Sequence, residues 1–200
     1  FTNIRPGDHV FEMEAGGGFY TEIIARLVGE DGRVIMQNPR GFDAFIKPEV
    51  FEALLGENGE RLPNVTHSRA NFDSPIAGDA SQDVVTWILG PHELWLAGKD
   101  GTLPEDPEKA FAEIARILKP GGTFIALDHA AVSGAPESVG GTLHRIDPAH
   151  VRSRAEAAGL VFVKESDVLS NPDDKYDVMV FSPDVRRKTD RFLHMYKKPD

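Results

Sequence analysis

Residues 9–28 read HVFEMEAGGGFYTEIIARLV, and this stretch decides the fold. Its apolar start is typical of a buried strand, and three glycines at 16–18 allow a tight turn and a close backbone approach to a ligand. Apolar residues then recur with helical spacing, so we predict an amphipathic helix. The predicted inner stripe of this helix is Tyr20, Ile23, Ile24, Leu27 and Val28. Because a helix N-terminus presents unpaired N–H groups, the glycine loop is expected to bind a ligand.

The alternation of strand and helix continues along the chain. An apolar run at 83–89 is typical of a strand buried on both faces of a parallel sheet. Asp-Pro pairs at 106–107 and 147–148 predict helix starts, as does Pro48. Further strands are predicted at 33–37, 65–68, 123–127, 160–163 and 192–196. We therefore predict one α/β domain over 1–200, with a Rossmann-like, doubly wound and mostly parallel seven-stranded sheet whose last strand is antiparallel.

A loop of about 25 residues, which is uncommonly long, separates the last two predicted strands. If the last strand runs antiparallel, this loop lies at the carboxyl edge of the sheet. Open α/β sheets bind their ligands at that edge. The loop is therefore expected to border the ligand site.

Composition narrows the range of partners. The net charge is -10, from 22 Lys+Arg against 32 Asp+Glu, which argues against nucleic acid and against an anionic membrane surface. The absence of cysteine excludes disulfides, thiolate zinc sites and cysteine nucleophiles within this chain. A small-molecule substrate is expected, and the oligomeric state is left open. The expected location is cytoplasmic, or exported if a leader was removed before Phe1.

Three segments together carry a family resemblance. The order of acidic residue, glycine loop and helix over 12–28 resembles the first motif of class I methyltransferases. Asp83-Val84-Val85 followed by His92 is similar to their fourth-strand motif, and AEIARILKPGGT at 112–123 resembles their helix, turn and fifth strand. LHRID at 143–147 and TDRF at 189–192 further resemble a bacterial subgroup of predicted methyltransferases. In that family, N-terminal helices often cover the substrate, and here they are expected to be missing or to lie upstream.

The resemblance implies S-adenosylmethionine as the cofactor. It places the methionine part near the glycine loop, the ribose after the second strand and the adenine after the third. The implied cofactor-binding residues are Glu12, Glu14, Gly16, Gly18, Asn38, Asn71, Phe72 and Trp87.

Two of these residues depart from the family pattern. Glu14 replaces the first glycine of the motif, and its side chain faces either the cationic sulfonium or solvent. Asn38 replaces the acid that usually binds the ribose hydroxyls, and the weaker neutral hydrogen bonds cost roughly tenfold in affinity. A nicotinamide dinucleotide fits less well, because Thr21 stands where its fingerprint needs a third glycine.

Methyl transfer from a sulfonium needs alignment of donor and acceptor, exclusion of water and, for some acceptors, a base. The candidate catalytic residues are His92 after the fourth strand and Asp128 with His129 after the fifth. The competing interpretation is that these histidines are structural or exposed. The spacing of the acidic residues and histidines does not require a metal site, and none is predicted. Some methyltransferases bind a divalent cation through acidic residues after the fourth and fifth strands, where Glu93 and Asp128 lie in this sequence.

Other residues have alternative interpretations. Arg145 either pairs with Asp147 or faces the pocket together with His144 to bind an acidic substrate. Trp95 is interpreted as a packing or lid residue. The leading hypothesis is methyl transfer to a small molecule. The alternatives are a ligand-binding protein or degenerate enzyme of the same fold, and an enzyme of this fold with other chemistry.

Overall fold

The computed structural model describes all residues from 1 to 200 and contains a single seven-stranded sheet. Its strands are β1 (His9–Met13), β2 (Arg33–Gln37), β3 (Val65–Ser68), β4 (Gln82–Ile88), β5 (Leu118–His129), β6 (Val161–Ser166) and β7 (Arg191–Lys197). Its α-helices are α1 (Phe19–Val28), α2 (Pro48–Leu55), α3 (Pro107–Ile117), α4 (Gly140–Leu143) and α5 (Pro148–Ala157). Short 3₁₀ helices lie at Arg40–Ala44, Pro91–Trp95 and Glu137–Val139. None of the helices combines the length and apolar character needed to cross a membrane.

The strand order is β3-β2-β1-β4-β5-β7-β6. Neighbours from β3 through β5 pair in parallel, and β7 runs antiparallel to both β5 and β6. This confirms the predicted fold class, including the antiparallel last strand. The chain leaves β1 towards β2 and later returns to the other side of β1 as β4. The carboxyl ends of β1 and β4 therefore form the switch point at which doubly wound sheets open a crevice for ligands.

Helix α1 packs on the sheet through a different face from the predicted one. Ile24 and Val28 are buried as predicted, but Tyr20, Ile23 and Leu27 are 37%, 43% and 49% exposed. The remaining buried positions belong to Thr21 and Ala25. Their short side chains let the helix approach β1 closely, and a pattern based on large apolar residues does not reveal that face.

The long loop over 167–190 lies at the carboxyl edge, as expected, and a buried ion pair anchors it. Arg145 is fully buried and donates hydrogen bonds of 2.9 and 3.1 Å to the two carboxylate oxygens of Asp174. It also donates to the carbonyl oxygens of Ala130 and Val178. Both interpretations of Arg145 are therefore wrong: Asp147 instead caps α5, and Arg145 does not face the pocket.

Candidate active site

The glycine loop after β1 is held by Gln37, the last residue of β2, and by Asn38, which follows it. The Gln37 side chain accepts a hydrogen bond from Glu14 N at 2.9 Å and donates one to Ala70 O. The Asn38 amide accepts from Gly16 N at 2.8 Å and donates to Gly16 O at 3.0 Å. Asn38 therefore fixes the loop, and a ribose contact would have to use its second N–H and second lone pair.

The two predicted ligand-binding glycines differ in what surrounds them. Gly16 has φ +58°, and a Cβ added there would meet nothing within 4 Å, so its backbone faces open space. Gly18 has φ +83°, and an added Cβ would lie 2.1 Å from the Leu54 side chain on α2. The positive φ of Gly18 strains any L side chain, and an added side chain would displace Leu54 on α2, whereas Gly16 leaves room for a ligand.

Glu12, the last but one residue of β1, is a buried acid four residues before Gly16. One carboxyl oxygen accepts a 2.5 Å hydrogen bond from the Thr21 hydroxyl of α1, and the side chain is 2% exposed. Burial raises the pKa of Glu12 from 4.5 to about 7, against the opposing effect of the Thr21 hydrogen bond. The carboxyl is therefore poised to ionise when a cation arrives.

This pKa predicts how stability depends on pH. The folded chain keeps Glu12 protonated up to about pH 7, whereas the unfolded chain ionises it near 4.5, so stability falls between these values as pH rises. Replacing Glu12→Gln should remove this loss of stability at high pH and raise the free energy of unfolding at pH 8 by about 3 kcal/mol. Urea unfolding of both proteins at pH 8 and pH 4 measures this. A stability difference that is the same at both pH values would contradict the assignment.

The Glu14 side chain points neither to solvent nor into the open space at Gly16, but turns inward. Its carboxyl accepts a 2.8 Å hydrogen bond from Trp87 Nε1. Gly90 is required beside it, because an added Cβ would lie 2.0 Å from the Glu14 Oε2 atom. Burial first, and then the charge of Glu93, raise the pKa of Glu14 well above its ordinary value. The chain thus carries a buried, protonatable acid at the switch point.

The residues after β3 form one wall of this region. Phe72 is buried, with its ring centroid 5.1 Å from that of Trp87, while Asn71 is exposed. Trp87 itself is completely buried. Phe72 and Trp87 therefore pack against each other, and their predicted contacts with a cofactor, like that of Asn71, remain predictions.

His92 and Asp128 come together at the carboxyl ends of β4 and β5. His92 is 3% exposed and Asp128 is fully buried. The His92 Nδ1 atom lies 2.8 Å from Asp128 Oδ1, and His92 N donates to Oδ2 at 2.8 Å. Burial alone would lower the pKa of His92, but the charge and hydrogen bond of Asp128 outweigh it and raise that pKa. Two of the three candidate catalytic residues thus form a buried pair.

Two further side chains, outside the predicted set of catalytic residues, extend this pair. His144 Nδ1 lies 3.2 Å from His92 Nε2, and Glu93 Oε1 lies 3.7 Å from the same atom. His144 follows α4 in the left-handed conformation, with φ +53°. The sequence shows only that it precedes a helix cap, and the folding of α4 against the Pro91–Trp95 segment brings it to His92.

His129 has a different environment. Its Nδ1 lies 2.7 Å from the Thr189 hydroxyl, and its ring centroid is 6.2 Å from that of His92. Burial lowers its pKa to about 4, so the ring is neutral at pH 7. His129 therefore ties the end of β5 to the long loop. Trp95 is buried, as its interpretation as a packing residue requires, and donates to Glu137.

Comparison with known proteins agrees with this architecture. A family described as "Methyltransferase domain" matches residues 13–126. A ubiquinone/menaquinone biosynthesis C-methyltransferase, UbiE, of Teredinibacter turnerae is 30% identical over 127 residues, which cover 64% of this chain and 45% of that protein. The chain thus matches less than half the length of this curated relative.

Solved structures share the fold. A SAM-dependent methyltransferase of Aquifex aeolicus superimposes with a TM-score of 0.66 at 18% identity, covering 98% of this chain and 85% of that one. The cyclase SpnF superimposes with a TM-score of 0.63 at 18% identity, covering 99% and 78%. The sheet order and the glycine loop define the class I methyltransferase fold. With more than half of its residues matched, the chain belongs to the methyltransferase domain family.

Proposed function

We propose that this domain transfers a methyl group from S-adenosylmethionine to a small-molecule acceptor. The observation that carries the proposal is the open backbone of Gly16 at the switch point, four residues after the buried acid Glu12. Family membership and the name of the C-methyltransferase relative support the reaction type.

The residues around Gly16 fit this cofactor. S-adenosylmethionine carries a sulfonium and an ammonium, and when bound it supplies an electrophilic methyl group. Glu12 would ionise beside these positive charges, since only burial holds its pKa near 7. The N-terminus of α1, at Phe19, would favour the carboxylate of the same ligand. Gly16 would let the backbone approach it, and Asn38 keeps that backbone in place.

We further propose that His92 lies on the acceptor side of the site and that Asp128 positions its ring. The pair lies after β4 and at the end of β5, and β4 is the neighbour of β1, the strand that leads into the glycine loop. Gly90, two residues before His92, lies against the Glu14 carboxyl, so the two halves of the site are close. His129 remains a candidate, although its bond to Thr189 assigns it first to the long loop.

The alternative of ligand binding without methyl transfer is the less favoured one. It rests on Glu14, which turns inward to Trp87, and on Asn38, which replaces the acid that usually binds the ribose. The curated relative matched here is named a methyltransferase, which favours the reaction.

An assay with methyl-labelled S-adenosylmethionine separates the two. The purified chain is incubated with a bacterial small-molecule extract and, separately, with phenolic and quinol acceptors, the class that the name of the relative suggests. We expect label in an acceptor together with an equal amount of S-adenosylhomocysteine. The Gly16→Val variant, which is expected to bind the cofactor poorly, measures the background incorporation of label. Tight cofactor binding with no transfer to any acceptor would favour the alternative.

A further inference from the structure

We infer that His92, Glu93 and His144 bind a divalent transition-metal ion of the zinc class. The inference of a metal site depends only on the positions of these three side chains. The role assigned to the ion below, as the anchor of the acceptor, rests on the proposed methyl transfer.

The three ligand atoms have the spacing that a metal ion needs. His92 Nε2 lies 3.2 Å from His144 Nδ1 and 3.7 Å from Glu93 Oε1, and the last two atoms are 4.0 Å apart. The point equidistant from all three lies about 2.1 Å from each, within the range of zinc–nitrogen and zinc–oxygen bonds. The side chains would therefore need to move little to coordinate an ion.

The Nδ1 atom of His92, which would not bind the ion, is hydrogen-bonded to a carboxylate, as is usual for a histidine that binds a metal. Asp128 is fully buried and accepts the Nδ1 hydrogen bond at 2.8 Å. It also accepts from the backbone N–H groups of His92 and His129, which fixes its orientation. With a proton kept on Nδ1, the lone pair of Nε2 points at the cluster. A carboxylate behind a histidine ligand is the common outer shell of zinc sites.

The other two ligands are held less tightly but face the same point. His144 is in a left-handed conformation that costs a non-glycine residue free energy, and such strain concentrates at functional sites. Its ring packs edge-on against Phe181 of the long loop, with centroids 5.0 Å apart. The Glu93 carboxylate has no hydrogen bond within the chain, so both of its oxygens are available.

The donor set selects the kind of ion. Two imidazoles and one carboxylate suit zinc and neighbouring transition metals, whereas magnesium and calcium prefer oxygen ligands throughout. The side chains of His144 and Glu93 are 20% and 27% exposed, so the ion can exchange with solvent. Three protein ligands leave a further position open, as in catalytic zinc sites. We assign that position to an oxygen of the methyl acceptor, held beside the glycine loop.

The test is metal titration of the full chain after treatment with a chelator. Zinc is titrated in competition with a chromogenic chelator, and cobalt is used as a spectroscopic probe. We expect one zinc per chain, cobalt absorption bands that zinc displaces, and no competition from magnesium or calcium. His144→Ala and Glu93→Gln should each weaken zinc binding at least about 100-fold, and Asp128→Asn about 10–100-fold.

His150→Ala is the matched control, because His150 lies 3.8 Å from Glu137 on a different surface and should leave zinc affinity unchanged. Circular dichroism confirms that each variant is folded. Two results would overturn the inference. One is zinc binding that none of the cluster variants weakens. The other is zinc binding by the wild-type chain that is no tighter than binding by the His144→Ala/Glu93→Gln double variant. The titration contains no S-adenosylmethionine, so its failure leaves the proposed cofactor site standing, and a failure of cofactor binding leaves the metal site standing.

Discussion

Replacing Gly16→Val is expected to weaken S-adenosylmethionine binding at least about 100-fold, a loss of about 2.7 kcal/mol or more. The added side chain enters space that is empty of protein atoms within 4 Å, so it clashes with a ligand and not with the fold. The left-handed backbone at φ +58° adds strain of about 1–2 kcal/mol, which lowers stability without filling the core. Isothermal calorimetry and thermal unfolding measure the two effects separately.

Gly7→Val is the control for that strain. Gly7 has φ +89° and open space around an added Cβ, but it precedes β1 at the opposite edge of the sheet. Both variants should lose stability, Gly7→Val at least as much because φ +89° lies outside the left-handed region open to L residues, and only Gly16→Val should lose the ligand. Equal affinities for wild type and Gly16→Val would mean that the loop is only a turn.

Replacing Arg145→Met is expected to lower the free energy of unfolding by about 3–5 kcal/mol. The substitution leaves the Asp174 carboxylate, whose side chain is 1% exposed, without its cationic partner and with only the backbone N–H groups of Tyr176 and Asp190 as donors. It also removes hydrogen bonds to the carbonyl oxygens of Ala130 and Val178. Because Arg145 anchors the long loop, the loop should become more sensitive to proteolysis. Urea unfolding and limited proteolysis measure these changes.

Two further variants show whether the buried charge is the cause. Adding Asp174→Leu to Arg145→Met should recover part of the loss, since no unpaired charge is then buried. Arg26→Leu removes an ion pair from a side chain that is 63% exposed and should cost less than about 1 kcal/mol. A loss below about 1 kcal/mol for Arg145→Met as well would contradict the anchoring role.

The sequence predicts the fold well because its signals are local. Apolar runs, glycine turns and the Asp-Pro caps at 106–107 and 147–148 each mark an element within a few residues. The antiparallel last strand follows from the family resemblance and from the missing helix before it. The inner face of α1 is less predictable, because Thr21 and Ala25 are buried by close packing that large-residue periodicity does not show.

The candidate site could be predicted only in part. His92 and Asp128 follow strands, so the parallel topology brings them to one edge of the sheet. His144 reaches that cluster only through the packing of α4, which has no strong sequence signal. Gln37 holds the glycine loop, and Glu14 turns inward to Trp87, because of hydrogen bonds between residues far apart in the chain. Such pairings depend on the tertiary fold.

Calorimetric titration of the wild-type chain measures whether the glycine loop binds S-adenosylmethionine. S-adenosylmethionine and S-adenosylhomocysteine should each bind at one site per chain with a Kd well below about 1 mM, and NAD should give no heat of binding. If neither sulfur ligand binds at millimolar concentration, or if NAD binds more tightly than both, the glycine loop is not a site for S-adenosylmethionine.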